Sequence, residues 1–220
     1  MMHNVWITGA GTGLGRALAL TYAQKGYKVF LSGRTAKQLR LTQNNIHQSG
    51  GKAEVIVCDI TEPASIKEAI KQIDTLHVMI NNAGLGYFGE LSTFTEAQVD
   101  QLLDTNVKGT ILATQYAAPL LEKSNGRVLN IISTAGLRGK KDESIYCASK
   151  FAVRGFTESL HKEWEEKNIS ATAVYMGGMN TPFWAETDHV GNPEKLKGPD
   201  VVAEKIFAED DGRKEIFIDR

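Results

Sequence analysis

The chain has 220 residues, 42% of them hydrophobic, which is enough for one domain with a full core and too little for two comfortable ones. Its 25 basic and 26 acidic side chains and a pI near 6.5 argue against a nucleic-acid stripe or a polybasic membrane anchor and leave small molecules or further copies of the chain as partners. No stretch reaches the roughly 18 apolar residues of a spanning helix, no basic leader precedes Val5-Trp6-Ile7, and Cys58 and Cys147 lie far apart without a zinc or disulfide pattern, so a cytoplasmic protein without metal, membrane or nucleic-acid binding is expected.

Residues 4–8 form a short apolar run, followed by Thr8-Gly9-Ala10-Gly11-Thr12-Gly13-Leu14-Gly15 and then the helical spacing Leu14, Leu18, Tyr22. Strand, glycine turn and helix is the layout a dinucleotide pyrophosphate needs. Bare backbone can approach it, and the helix start offers N–H groups and the positive end of a dipole. Gly9, Gly13 and Gly15 fall as G-x-x-x-G-x-G, and Gly9-Ala10-Gly11 adds a partial match to the shorter spacing.

Lys28 to Ser32 reads as a second strand, with Gly33-Arg34-Thr35 directly after it. At that point an acid would suit a ribose 2′-hydroxyl and an arginine a 2′-phosphate, so Arg34 favours NADP(H) over NAD(H), with NAD(H) still possible. An amphipathic helix through Leu39, Leu41 and Ile46 leads to a third strand, Glu54 to Cys58, ending in Asp59-Ile60-Thr61. Asp59 then lies on the ligand side of a parallel sheet, either as an adenine contact or as a turn acid. Thr61 is expected to cap the next helix, with Pro63 in its first turn. A fourth strand from Val78 to Ile80 runs into Asn81-Asn82-Ala83-Gly84, where asparagines can bind backbone and small residues admit a ligand.

Thr95 and Gln98 have capping-box spacing, and Val99, Leu102, Leu103, Val107 and Ile111 suggest one apolar helix face. Asn106 falls inside that stripe, as a structural plug or as a functional residue with a local kink. Arg127 to Ile132 reads as a fifth strand that delivers Ser133. Ser144 is placed to cap a helix on which Tyr146 and Lys150, four apart, stack on one face and which continues through Val153, Leu160 and Trp164. An ammonium beside a phenol favours the phenolate, and a serine hydroxyl can hold the same oxygen, so Ser133, Tyr146 and Lys150 read as an acid–base device for carbonyl reduction or alcohol oxidation. A sixth strand, Ile169 to Tyr175, precedes an aperiodic loop at about 177–198, a last short helix and an edge strand, Lys214 to Ile218. Alternating strands and helices imply an α/β fold: a Rossmann-like, doubly wound parallel sheet of about seven strands with helices on both faces, formed by residues 1–220 as a single domain.

Residues 8–15, Asp59-Ile60-Thr61, the NNAG run at 81–84, Asn106, Ser133 and Tyr146-Cys147-Ala148-Ser149-Lys150 together resemble the short-chain dehydrogenase/reductase family over nearly the whole chain. The resemblance implies an NAD(P)-dependent oxidoreductase. Tyr146 would be the general acid or base, Lys150 would lower its pKa and bind the nicotinamide ribose, Ser133 would hold the substrate oxygen, and Asn106 would place a water in a proton relay. It also implies cofactor contacts at Gly9, Gly11, Thr12, Gly13, Leu14, Gly15, Arg34, Asp59, Ile60, Asn82, Ala83, Gly84, Tyr146, Lys150, Met179 and Thr181. Asn81 would fix a strand. Met176-Gly177-Gly178 departs from the family's Pro-Gly, which bears on the path leading to Thr181.

An apolar or aromatic carbonyl substrate, or its alcohol, is expected in a pocket lined by Tyr87, Phe88, Ala135, Leu137, Phe183 and Trp184. Small or apolar residues such as Ala113, Ala117, Ala148 and Ala152 on the helices around Asn106 and Tyr146 suggest a homodimer or homotetramer. The alternative function is a dinucleotide-binding redox sensor without turnover, against which the complete acid–base set argues.

Overall fold

The computed structural model describes residues 2–219. Seven parallel strands form one sheet: β1 (Asn4–Thr8), β2 (Lys28–Gly33), β3 (Lys52–Val57), β4 (Val78–Asn81), β5 (Arg127–Ile131), β6 (Ser170–Tyr175) and β7 (Glu215–Phe217), in the spatial order β3-β2-β1-β4-β5-β6-β7. Helices α1 (Gly13–Gln24), α2 (Ala36–Gln48), α3 (Pro63–Ile70), α4 (Glu96–Leu103), α5 (Thr110–Lys123), α6 (Ser144–Glu163) and α7 (Pro199–Glu209) connect them. This is the Rossmann-like architecture expected. The third strand begins two residues earlier than the apolar run suggested, because the register pairs Lys52 with Lys28 and Glu54 with Phe30.

Strands buried on both faces are apolar at successive positions, and the period of two sends neighbours to opposite layers. In β1, Val5 and Ile7 join the layer of Leu14, Leu18 and Tyr22 from α1, Leu39 and Ile46 from α2, and Ile206 from α7. Trp6, between them, joins Ile66 of α3, Ala113 and Ala117 of α5, and Leu160. The strand order reverses at β1, with β2 on one side and β4 on the other. A crevice opens at such a point beyond the strands' carboxyl ends.

Several local readings are corrected. Leu41 is 47% exposed and points away from the core that Leu39 and Ile46 enter. Glu62, not Thr61, occupies the N-cap of α3, and Pro63 is its first residue; the Thr61 hydroxyl instead donates to Asp59 Oδ1 at 2.8 Å. Glu143 occupies the N-cap of α6, so Ser144 is already helical. The Thr95–Gln98 capping box is present.

The apolar stripe after it does not form one face. Between α4 and α5 the chain makes a π-helical turn, Asp104–Gly109, whose extra residue rotates α5 relative to α4. Leu102 is buried while Leu103 and Ile111 are exposed. Ala113 and Ala117 are buried in the core, so the outer face of these helices presents Ala148, Phe151 and Ala152 instead.

Candidate functional site

The glycine turn between β1 and α1 opens onto a cleft of about 410 Å³ that runs past the carboxyl ends of β2, β3 and β4 to Tyr146. Gly15 must lack a side chain, because a Cβ there would lie 2.2 Å from the Gly9 carbonyl oxygen; Gly13, at φ +51°, sits in the left-handed region that favours glycine. No described side chain caps α1, so its first N–H groups are left facing the cleft. Asn82 braces the turn from β4: its Nδ2 donates to the Thr8 carbonyl at 2.9 Å, and its N–H donates to Thr8 Oγ1 at 3.0 Å. Asn81 points inward, donating to Thr114 Oγ1 and Asn130 Oδ1, both at 2.8 Å.

All sixteen residues assigned to the cofactor line this cleft, from Gly9 through Arg34, Asp59 and Asn82 to Met179 and Thr181. Arg34 is exposed at its rim, just before α2. Asp59 lines the cleft, and as a turn acid its Oδ1 accepts from Thr61 N–H at 3.0 Å. A glycine turn cleared of side chains, an uncapped helix start and an arginine at the rim fit a dinucleotide.

At the other end, Ser133, Tyr146 and Lys150 meet on the cleft wall, each 8% exposed. Ser133 ends the segment after β5 with φ 104° and ψ 156°, a region nearly confined to glycine that costs on the order of 1–3 kcal/mol and tends to mark functional sites. Lys150 Nζ donates to the Ile131 carbonyl at 3.0 Å and lies 5.7 Å from the Tyr146 ring centroid. Burial lowers Lys150 from 10.5 to about 8.

Burial also pushes the Tyr146 phenol above its ordinary value of 10, with the hydrogen bond to Ser133 acting in the opposite direction. The expectation that Lys150 makes this phenol acidic is therefore not met in the protein alone. The low-polarity surroundings disfavour phenolate and ammonium alike, and the amine is engaged with Ile131.

Asn106 is 2% exposed and does not line the cleft, although its neighbour Thr105 does. It occupies the π-helical turn, and its amide bonds both backbone groups of Leu85 and donates to Ser149 Oγ at 3.1 Å. A side chain placed at Gly84 would lie 3.2 Å from Asn106 Oδ1 and 3.8 Å from Lys150 Nζ, so the three positions adjoin.

The expected substrate residues divide. Phe183 and Trp184 line the cleft, and Phe88 packs on Tyr146, Phe183 and Trp184 with ring centroids 5.4, 5.9 and 5.3 Å away. Tyr87 is directed elsewhere, donating to Gln101. Ala135 is fully buried against Leu102, Tyr146 and Cys147, and Leu137 packs with Ile132, Val153 and Tyr175 on the far side of Ser133, so neither forms the wall. Nearness to Ser133 in sequence does not carry over to the cleft, because the short 3₁₀ turn Thr134–Gly136 leads both residues away from it.

The loop at 177–198 contains two 3₁₀ turns, Pro182–Trp184 and Pro193–Lys195. Its neck is closed by Asn180 N–H donating to Lys197 O at 2.9 Å and by Asp219, which accepts from Gly177 N–H at 3.0 Å and from Lys197 Nζ. Among lining residues that sequence reasoning missed, Lys140 and Glu143 bring charge to the wall. They stand in the charged run 138–143, which carries no spacing signal.

The short chain dehydrogenase family model matches residues 3–190. A sepiapterin reductase of Chlorobaculum tepidum is 32% identical over 220 residues, covering 94% of this chain and 90% of its own. Among solved structures, an alcohol dehydrogenase of the archaeon Thermococcus sibiricus, complexed with 5-hydroxy-NADP, superposes with a TM-score of 0.90 at 24% identity, covering 99% of this chain and 96% of its own. An actinorhodin polyketide ketoreductase variant with NADPH gives 0.89 at 25% identity, covering 99% and 95%.

Proposed function

The chain belongs to the short-chain dehydrogenase family of oxidoreductases, and on that premise we propose that it interconverts a ketone or aldehyde with its alcohol, using NADP(H) in preference to NAD(H). The observation that carries this reading is that Ser133, Tyr146 and Lys150 converge at one end of a cleft whose other end is a side-chain-free glycine turn. The dinucleotide, when bound, supplies the hydride. Tyr146 gives its proton to the substrate oxygen in reduction and takes it back in oxidation, a role worth on the order of 10²–10⁴ in rate. Ser133 holds that oxygen, and the neighbouring Lys150 ammonium stabilises the phenolate left behind. Asn106 is a positioning residue, because its amide is committed to Leu85 and Ser149.

NADP(H) is preferred because Arg34 stands at the rim with no acid beside it in Gly33-Arg34-Thr35. The carbonyl reading is supported by a relative named a sepiapterin reductase and a neighbour named a polyketide ketoreductase, and a nicotinamide cofactor by neighbours solved with NADP-type ligands or NAD. Residues 1–220 act as one domain, with the loop at 177–198 closing the substrate end. Pairing into a dimer or tetramer uses the outer face that exposes Ile111, Phe151 and Ala152. Among the described residues no helix is long and apolar enough to cross a membrane.

The test is NADPH oxidation with a panel of planar ketones and aldehydes by the wild type and Tyr146→Phe. The variant is expected to bind NADP⁺ and to lose turnover by roughly 10²-fold or more. Retained turnover removes the proton role. Cofactor binding by the wild type without turnover of any carbonyl compound favours the sensor.

A further inference from the structure

Glu143 has no task in the proton and hydride chemistry, yet it is built into the same wall. It stands three residues before Tyr146, is 7% exposed and lines the cleft. A carboxylate this deeply buried is costly unless its acceptor sites are met, and it can take about four hydrogen bonds. Among the described residues, one side chain stands within hydrogen-bonding distance: His189 Nε2, 3.1 Å from Oε1. Lys140 Nζ forms an ion pair with Oε2 at 3.8 Å, too long for a hydrogen bond, so acceptor sites on the carboxylate stay open.

Aromatic rings stand behind His189. His189 stacks on Phe88 with ring centroids 4.6 Å apart and planes 8° from parallel, and Phe88 in turn packs on Tyr146, Phe183 and Trp184. The cleft therefore offers Phe183 and Trp184 as aromatic lining, backed by Phe88, and a carboxylate with open acceptor sites close to the proton donor. Such a wall suits a flat molecule with an N–H at its edge. A flat hydrocarbon would leave the free acceptor sites of the carboxylate unmet.

We propose that Glu143 is a specificity-determining residue that accepts a hydrogen bond from an N–H group of a planar carbonyl substrate, so that the cleft selects cyclic keto-lactams and similar N–H-bearing ketones over hydrocarbon ones. The proposal rests on the carbonyl-reductase reading for its substrate class. His189 holds the loop against the carboxylate and does not itself choose the ligand.

Isatin and N-methylisatin are planar ketones that differ by one N–H. Their dissociation constants in the presence of saturating NADP⁺, read from quenching of tryptophan fluorescence, are expected to differ on the order of 10- to 100-fold in favour of isatin. Glu143→Ala brings the two within about twofold of each other, whereas His189→Ala keeps the preference. Equal binding of the two by the wild type overturns the proposal without any variant, as does failure to bind either. So does an undiminished preference in Glu143→Ala, or a loss in His189→Ala as complete as in Glu143→Ala, which would trace selectivity to loop closure. Turnover is measured separately. An N–H preference in binding with no NADPH oxidation leaves the subsite standing and removes the reductase reading.

Discussion

Asn106 and Leu85 form a closed pair: the Leu85 N–H donates to Asn106 Oδ1 and Asn106 Nδ2 donates to the Leu85 carbonyl, each at 2.9 Å. A side-chain amide here substitutes for a neighbouring strand and fixes the chain just after Gly84, on the cleft wall. The π-helical turn that carries Asn106 aims it inward. Asn106→Ala leaves both Leu85 backbone groups without these partners. Removing them is expected to cost on the order of 2–3 kcal/mol in urea unfolding and to lower kcat more than NADPH affinity. A stability change below about 0.5 kcal/mol would show that Leu85 finds other partners.

Arg34 stands at the cleft rim beyond β2, and the proposed NADP(H) preference assigns it the ribose 2′-phosphate. Arg34→Ala is expected to weaken NADPH on the order of tenfold and NADH by less than about twofold, measured by fluorescence titration of both cofactors. Equal losses would remove the cofactor preference.

Lys150 has a folded pKa of about 8, below its ordinary 10.5, because it is buried. Between those values the unfolded chain holds a proton that the folded chain has released, so the slope of stability with pH is positive. The cost of the buried ammonium is fully present below about pH 8 and fades as the pH rises toward 10.5. Lys150→Met removes that cost. Its thermal stability advantage over the wild type is expected to be largest near pH 7 and smaller near pH 9.5. The raised Tyr146 pKa opposes this only above pH 10, where a folded phenol keeps its proton longer than an unfolded one. An advantage independent of pH would contradict the lowered lysine.

Asp210 forms a buried cluster at the end of the sheet away from the cleft. Arg127 Nη2 donates to Asp210 Oδ2 at 2.8 Å, and the Tyr22 hydroxyl donates to the same carboxylate. The Asp210 side chain is 1% exposed and that of Arg127 is 21% exposed. Asp210→Ala strands the guanidinium and is expected to cost about 3 kcal/mol of stability while leaving NADPH affinity within about twofold. Unchanged urea unfolding would show that the cluster contributes nothing net.

Much of the fold was legible because periodicity reports local geometry directly. Leu14, Leu18 and Tyr22 recur at helical spacing and all enter the core. The apolar strand runs announce a sheet covered on both faces. Tyr146 and Lys150 could be placed together because four residues make one helical turn, and the glycine turn because a missing Cβ is visible in the letters. The π-helical turn was legible only as the local kink offered for Asn106: one extra residue per turn leaves composition unchanged while moving Leu103 and Ile111 to the surface.

By itself the sequence determined which segments alternate as strand and helix, and which residue types could carry an acid–base pair and a phosphate-binding turn, since these depend on spacing along one chain. Only the tertiary structure decided that Ala135 and Leu137 leave the cleft, that Phe88 and His189 stack although they come from distant loops, and that Glu143 is buried facing ligand space. Burial and the electrostatics of a site depend on which segments meet. That is why Tyr146 and Lys150, neighbours on one helix face by their spacing alone, are both driven toward their neutral forms by surroundings that no local pattern records.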